Sequence, residues 1–278
     1  MSDHSPPHSP RLPGRADLRR TQPRRRLAMM RAVVALMLRE MATTYGRSPG
    51  GYLWAILEPA GGIALLSLVF SVAFHSPPLG ISFPMFYATG MLPFLMFNDI
   101  SGKLATALLF SKQLLAYPSV TYIDALLARF VLNLLTHLMV AYLVFAGIML
   151  AMETRVVPDY PTIVLAFALT AWLALGVGVL NAFLFTRFPV WQRAWSVIMR
   201  PMFIISGVFM LPDVIPQPWR DYILFNPLVH VIDLMRRGFY PSYDAPLFSG
   251  VYVLGTGAIL LALGLLFLKR YHRDLLQM

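Results

Sequence analysis

The chain has 278 residues, 58% of them hydrophobic and only 13% charged, where a soluble domain carries about 25% charged residues; lipid is therefore the expected solvent for much of it. There is no cysteine, which excludes a disulfide framework and a cysteine metal site. The net charge of +10 is uneven, with ten of the 23 Lys and Arg residues before Trp54, a distribution that sets membrane topology rather than one that binds nucleic acid.

Residues 1–26 are rich in Pro, Ser, His and Arg. They read as a disordered cytoplasmic tail and not as a secretory signal, which needs an apolar core and a small-residue cleavage site. From 27 to 45, Leu27, Met30, Val34, Met37, Leu38 and Met41 recur at helical spacing, with Arg31, Arg39 and Glu40 on the polar side. That pattern predicts an amphipathic helix lying in the membrane interface; an amphipathic helix packed on protein is the plainer alternative.

Six later stretches reach the roughly 20 apolar residues that cross a bilayer: about 53–74, 84–110, 125–152, 162–186, 195–211 and 247–268. The expected fold class is thus an all-α polytopic membrane protein with six spans. With both termini in the cytoplasm, the inside segments hold 19 Lys and Arg and the outside segments 4, as the positive-inside rule requires. Between the fifth and sixth spans, 212–246 holds six prolines. Its two short amphipathic pieces, 219–225 and 228–239, are expected as re-entrant or periplasmic helices, since long structureless loops are uncommon; a simple external loop is the alternative.

Several stretches resemble the permeases of ATP-binding-cassette exporters of polysaccharide. They are Tyr45-Gly46-Arg47-Ser48-Pro49-Gly50-Gly51-Tyr52-Leu53-Trp54-Ala55-Ile56-Leu57-Glu58-Pro59, Gly90-Met91-Leu92-Pro93-Phe94-Leu95-Met96-Phe97, Leu115-Ala116-Tyr117-Pro118 followed by Asp124 and Arg129, and Ile205-Ser206-Gly207-Val208-Phe209 with Asn226-Pro227-Leu228 and Gly238-Phe239-Tyr240 after it. Ser76-Pro77-Pro78-Leu79-Gly80 is similar, with one residue changed, to a Ser-Pro-Ser-Leu-Gly motif of group 2 capsule exporters. The resemblance implies a homodimer in the bacterial inner membrane, two cytoplasmic ATP-binding subunits, a lipid-linked polysaccharide as cargo, and periplasmic adaptor and outer-membrane export partners. O-antigen, teichoic acid or another lipid-linked cargo is the alternative.

No GxxxxGKS or GxxxxGKT sequence is present, so ATP and Mg belong on the partner subunit and no cofactor is expected on this chain. Lys112, Gln113, Leu114, Leu115, Tyr117 and Pro118 are the expected ATPase-coupling segment, and Ser76 to Gly80 the expected outer gate. Arg39, Arg47, Tyr52, Trp54 and Glu58 are candidates for substrate access at headgroup depth, where an arginine fork suits phosphate; for Glu58 a structural ion pair is the competing role. Phe70, Tyr87, Phe94 and Phe97 are candidates for a glycan path, because sugar C–H faces pack on aromatic rings; interfacial or lipid-facing aromatics are the alternative. Asp99 and Lys103, four apart, should meet on one helix face. Asn98, Arg129, Asn133, His137 and Arg200 should likewise face protein or a wet path. A secondary transporter or channel predicts charged coupling sites in matching halves, and no such match is visible.

Overall fold

The computed structural model describes residues 25–44, 50–115 and 121–277, with backbone only for 25–29, 43–44, 52, 112–115 and 272–277. The tail read at 1–26 therefore lies almost wholly outside the described residues. All regular structure among the described residues is helical: α1 Arg25–Thr44, α2 Gly51–Ala73, α3 Phe83–Ala105, α4 Ala107–Leu115, α5 Tyr122–Ala151, α6 Tyr160–Arg187, α7 Pro189–Ile205, α8 Trp219–Leu224, α9 Pro227–Phe239 and α10 Gly250–Gln277, with a 3-10 turn at Pro212–Val214.

Local chemistry sets the helix ends. Thr121 and Asp124 form a reciprocal capping box at the start of α5, the Asp124 N–H donating to Thr121 Oγ1 at 3.2 Å and the Thr121 N–H to Asp124 Oδ2 at 2.9 Å. Such a box satisfies two donors the helix cannot. Asn226 accepts the Leu228 N–H at 3.1 Å and Pro227 takes the first position of α9, where its missing donor is harmless.

Two expected boundaries shift. The single helix expected at 84–110 breaks at Thr106 into α3 and α4. The Thr106 hydroxyl is 3.2 Å from both the Gly102 and Lys103 carbonyls, and such back-bonding competes with the helical ladder. The fifth stretch, expected at 195–211, instead starts at Pro189 and ends at Ile205. Gly207 follows the C-cap Ser206 with φ +82°, a left-handed stop that glycine adopts without strain.

The core is built on α3 and α6, which pack on each other, with α10 behind α6, α5 and α2 beside α3, and α9 closing one end against α6 and α3. Small residues allow the close approach of α6 and α10: a Cβ on Gly264 would sit 2.6 Å from the Leu180 nitrogen. Without water to drive association, such backbone proximity is how helices gain contact in lipid. The helix α1 packs along the start of α5 and leaves Met30, Val34 and Leu38 exposed on its outer surface.

Four helices are long and apolar enough to cross a membrane: Leu53–Ala73, Tyr122–Ala151, Tyr160–Arg187 and Gly250–Tyr271. The second and fifth expected spans fall outside that set among the described residues. Helix α3 has the length, at 23 residues, but carries Asn98, Asp99 and Lys103 and is sheathed by other helices. Helix α7 has 17 residues, about 25 Å at 1.5 Å each, and includes Gln192, Arg193 and Arg200.

Candidate functional site: a polar groove along α3

Near the α4 end of the bundle, polar side chains of α3 and α5 form one connected seam. Asp99 Oδ2 lies 2.8 Å from Lys103 Nζ and 2.8 Å from His137 Nε2. Lys103 also donates to Asn133 Oδ1 at 2.7 Å, and Asn133 donates to the Arg129 carbonyl at 2.7 Å. Arg129 continues the chain: its Nε meets Glu40 Oε1 at 3.1 Å, and its Nη1 donates to the Lys103 carbonyl at 2.8 Å and to Thr106 Oγ1 at 3.1 Å. Its guanidinium lies 4.3 Å from the centre of the Phe110 ring on α4. One arginine thus joins α1, the broken end of α3, α4 and α5.

This seam opens on two sides. A cavity of about 440 Å³ between α2, α3 and α5 is lined by Trp54, Glu58, Asn98, Asp99, Lys103 and His137. A second, of about 500 Å³, lies between α3, the end of α6 and α7, and is lined by Trp195, Ser196 and Arg200 together with the same Asn98, Asp99 and Lys103. The polar edge of α3 is therefore the shared floor of a groove with a tryptophan and charged groups on each flank. Carboxylate, amide and ammonium groups supply both acceptors and donors, and the indoles supply flat apolar faces.

Beyond the groove, toward α9, aromatic rings close the space. Phe94 and Phe203 are 5.0 Å apart between ring centres, Phe203 and Phe209 5.1 Å, Phe70 and Phe209 5.9 Å, and Phe70 and Tyr87 5.2 Å. These rings bring α2, α3 and α7 together with the turn after α7. Of the four aromatic candidates, Phe70, Tyr87 and Phe94 join this cluster; Phe97 is buried in the core one turn below Phe94.

The α9 end holds a second polar assembly. Arg236 is fully buried; its Nη1 donates to the Met210 carbonyl at 3.2 Å and its Nη2 to the Val208 carbonyl at 3.1 Å. Burial pushes this guanidinium down to about 10, with Tyr243 and Asp233 opposing the shift, so it remains cationic at neutral pH. Asn226 donates to Ser206 Oγ at 3.0 Å. The Ser206–Phe209 and Asn226–Leu228 stretches of the sequence thus meet at one junction. The Ser76–Gly80 loop lies beside it: Pro77 is buried, Leu79 packs on the core, and a Cβ on Gly80 would sit 2.6 Å from Tyr240 Cε1.

The remaining candidates are placed as follows. Trp54 and Glu58 line the groove, and Glu58 is exposed without an ion pair among the described residues, so the structural pairing expected for it is not found there. Arg39 is exposed, its guanidinium 5.9 Å from the Phe110 ring. Arg47, Tyr117 and Pro118 lie outside the described residues, as do the side chains of Tyr52, Lys112, Gln113, Leu114 and Leu115. The backbone of the last four forms the end of α4. The sequence does not reveal the Arg236 assembly, because Arg236 reads there as one of the four outside Lys and Arg residues that fit the topology rule. The available signal is Asp233 and Arg236 three apart, with His230 three residues before Asp233, in a short helix that is mostly apolar.

Comparison with known proteins adds a family. A model of the ABC-2 type transporter family matches residues 31–240. The polysialic acid transport protein KpsM of Escherichia coli is 33% identical over 233 residues, covering 84% of this chain and 90% of that protein. The capsule polysaccharide export inner-membrane protein CtrC of Neisseria meningitidis is 26% identical, covering 89% and 93%, and BexB of Haemophilus influenzae 23%, covering 87% and 92%.

Proposed function

Because the chain belongs to the ABC-2 type transporter family, we propose that it is the membrane-embedded subunit of an ATP-driven exporter that moves lipid-linked capsule polysaccharide across the bacterial inner membrane. The observation that carries this reading is the α3 groove: a charged, tryptophan-flanked surface in a predominantly apolar bundle. Sugar hydroxyls require donors and acceptors together, and sugar C–H faces pack on indole. Similarity over most of the chain to capsule polysaccharide export proteins supports the cargo class.

The positive-inside bias supports a six-span arrangement with the α4 end in the cytosol and the α9 end outside. In it α3 and α7 are the second and fifth spans. Helix α7 has no buried residue, and exposed Gln192, Arg193, Ser196 and Arg200 are costly against acyl chains. A second copy placed against α2 and α7 encloses the groove and covers these groups. Two ATP-binding subunits dock at α4 and the segment after it, where Arg129 ties α4 to α1 and to the end of α3. Nucleotide-driven motion there parts the aromatic cluster, and the Ser76–Gly80 loop with the α9 end gates the exit toward periplasmic and outer-membrane partners. The lipid head approaches along α1 and the start of α2, past Arg39, Arg47, Tyr52, Trp54 and Glu58.

The test is co-purification with the ATPase subunit, followed by ATP hydrolysis in nanodiscs with and without lipid-linked capsule glycan. Stimulation by the glycan is expected; equal rates with and without it remove the cargo assignment. Replacing Ser76–Gly80 should abolish surface capsule in a folded protein, and normal export in that variant removes the gate.

A further inference from the structure

At the α9 end, apart from the groove, two carboxyls and a phenol from three separate segments meet. Tyr243 Oη lies 3.1 Å from Asp213 Oδ2 and also contacts Asp233 Oδ1. A phenol carries a single proton, so it donates across only one of these contacts. With both carboxyls ionised, the other contact sets lone pairs against each other. Asp233 is 1% exposed, its Oδ2 has no hydrogen-bond partner, and it makes no ion pair among the described residues. Arg236, one turn along α9, directs its two Nη groups to the Val208 and Met210 carbonyls instead. An ionised carboxylate so buried and so poorly matched is costly. Two arrangements of one shared proton satisfy both contacts, and burial selects between them: the enclosed Asp233 is protonated and donates to Tyr243 Oη, and Tyr243 donates to ionised Asp213, which is partly exposed.

We propose that Asp233 is a proton-binding site, neutral at neutral pH and connected through Tyr243 and Asp213 to the outer aqueous phase, and that its ionisation competes with the Val208–Met210 turn for Arg236. When Asp233 ionises, its proton passes to the Tyr243 oxygen while the phenol proton passes to Asp213 and then to water, so the count balances. The groups facing the site are His230 and Arg236 on α9, Tyr240 and Tyr243 after it, Asp213 from the 3-10 turn, and Tyr87 of α3 against Arg236. Burial raises the Asp233 carboxyl above the usual range and Asp213 adds to this; the Tyr243 hydrogen bond, Arg236 and His230 oppose it. A neutral Asp233 leaves the Arg236 charge committed to carbonyls just past the end of α7, a favourable place for a cation. An ionised Asp233 offers Arg236 a partner one turn away on the same helix face. The turn Arg236 grips carries Phe209, which contacts Phe70 and Phe203, so a bound proton holds the aromatic closure in place. The consequence for transport rests on the aromatic cluster being the exporter's closure; the proton site does not.

Infrared difference spectroscopy of the full chain in nanodiscs, needing neither glycan nor ATPase, separates the two. At neutral pH a protonated-carboxyl C=O band that shifts on H/D exchange is expected. It should vanish in D233N, persist in D213N, and move without vanishing in Y243F, which removes its hydrogen-bond acceptor. Absence of the band, its loss in D213N, or an unmoved band in Y243F overturns the proposal, and the Y243F result serves if D233N does not fold. Because the chain has no cysteine, M210C provides a single thiol on the gripped turn. Its labelling rate, divided by that of V157C as an exposed control, should rise several-fold with pH in the otherwise unaltered chain and stay flat with D233N added. A flat ratio in both severs the link to Arg236.

Discussion

Replacing Arg129 by methionine tests how the first helix is fastened to the bundle. The Arg129 and Glu40 side chains are only 8% and 11% exposed, with Nε and Oε1 3.1 Å apart. Removing the arginine takes from a buried carboxylate the cation it is paired with, an effect of up to about 3–5 kcal/mol. The Lys103 carbonyl that Arg129 also serves keeps the Thr106 hydroxyl at 3.2 Å, so the loss comes chiefly from Glu40. In E40Q the amide oxygen still accepts from Nε, and Phe110, Thr106 and the Lys103 carbonyl still hold the guanidinium. The expected cost there is on the order of 1 kcal/mol, the difference between a charge-assisted and a neutral hydrogen bond. The double replacement R129M/E40M removes both charges and should be more stable than R129M alone, because neither member of the pair is then buried without the other. Equilibrium unfolding of the unaltered chain, R129M, E40M and R129M/E40M in mixed micelles gives the cycle, with E40Q as the neutral-acceptor control. If R129M is no worse than E40Q, or if the two single effects simply add, the buried pair does not anchor α1.

N226A removes the cap on the Leu228 N–H and the bond to Ser206, and should lower stability by about 1–2 kcal/mol, with N226D recovering most of the cap but not the Ser206 contact; thermal unfolding checks both. G264L drives a side chain into the α6 backbone at Leu180 and should cost about 1–3 kcal/mol or more, read as a lower unfolding midpoint and loss of monodispersity in detergent. K103M leaves Asp99 with His137 and removes the ammonium from the groove floor; because Lys103 is partly exposed, the fold should survive while glycan-stimulated ATP hydrolysis falls. For pH, the folded Asp233 carboxyl is raised above its unfolded value. Its contribution is therefore fully present below the unfolded pKa and is lost as pH rises through the folded one. The unfolding midpoint should decline across that window, and D233N should flatten the decline.

The aromatic and charged groups that meet in the groove were individually visible in the sequence, but their roles were not. Asp99 and Lys103 are four apart and were expected to pair, as they do at 2.8 Å, because helix geometry alone puts them on one face. Arg129, Asn133 and His137 repeat at the same interval on α5, so a polar stripe was legible. That the stripe faces Lys103 rather than another helix depends on packing across 30 residues of chain, which no local period encodes. Trp195 and Arg200 flank the same α3 groove floor as Trp54 and Glu58, on its other side, only because α7 folds back beside α3.

Composition, periodicity and the placement of arginines determined by themselves that the chain is helical, lipid-embedded and charged mainly toward one end, since each is a property of residues within a few turns of one another. The helix caps and stops at Thr121, Asn226 and Gly207 were likewise local. Only the tertiary structure decided which polar residues are buried and with what. Arg236 looks from sequence like one more outside charge on a short helix, yet it is fully enclosed and bound to two carbonyls 26 and 28 residues away. The physical reason is that the cost of burying a charge depends on the partners that long-range folding delivers, and those partners are not neighbours in the chain.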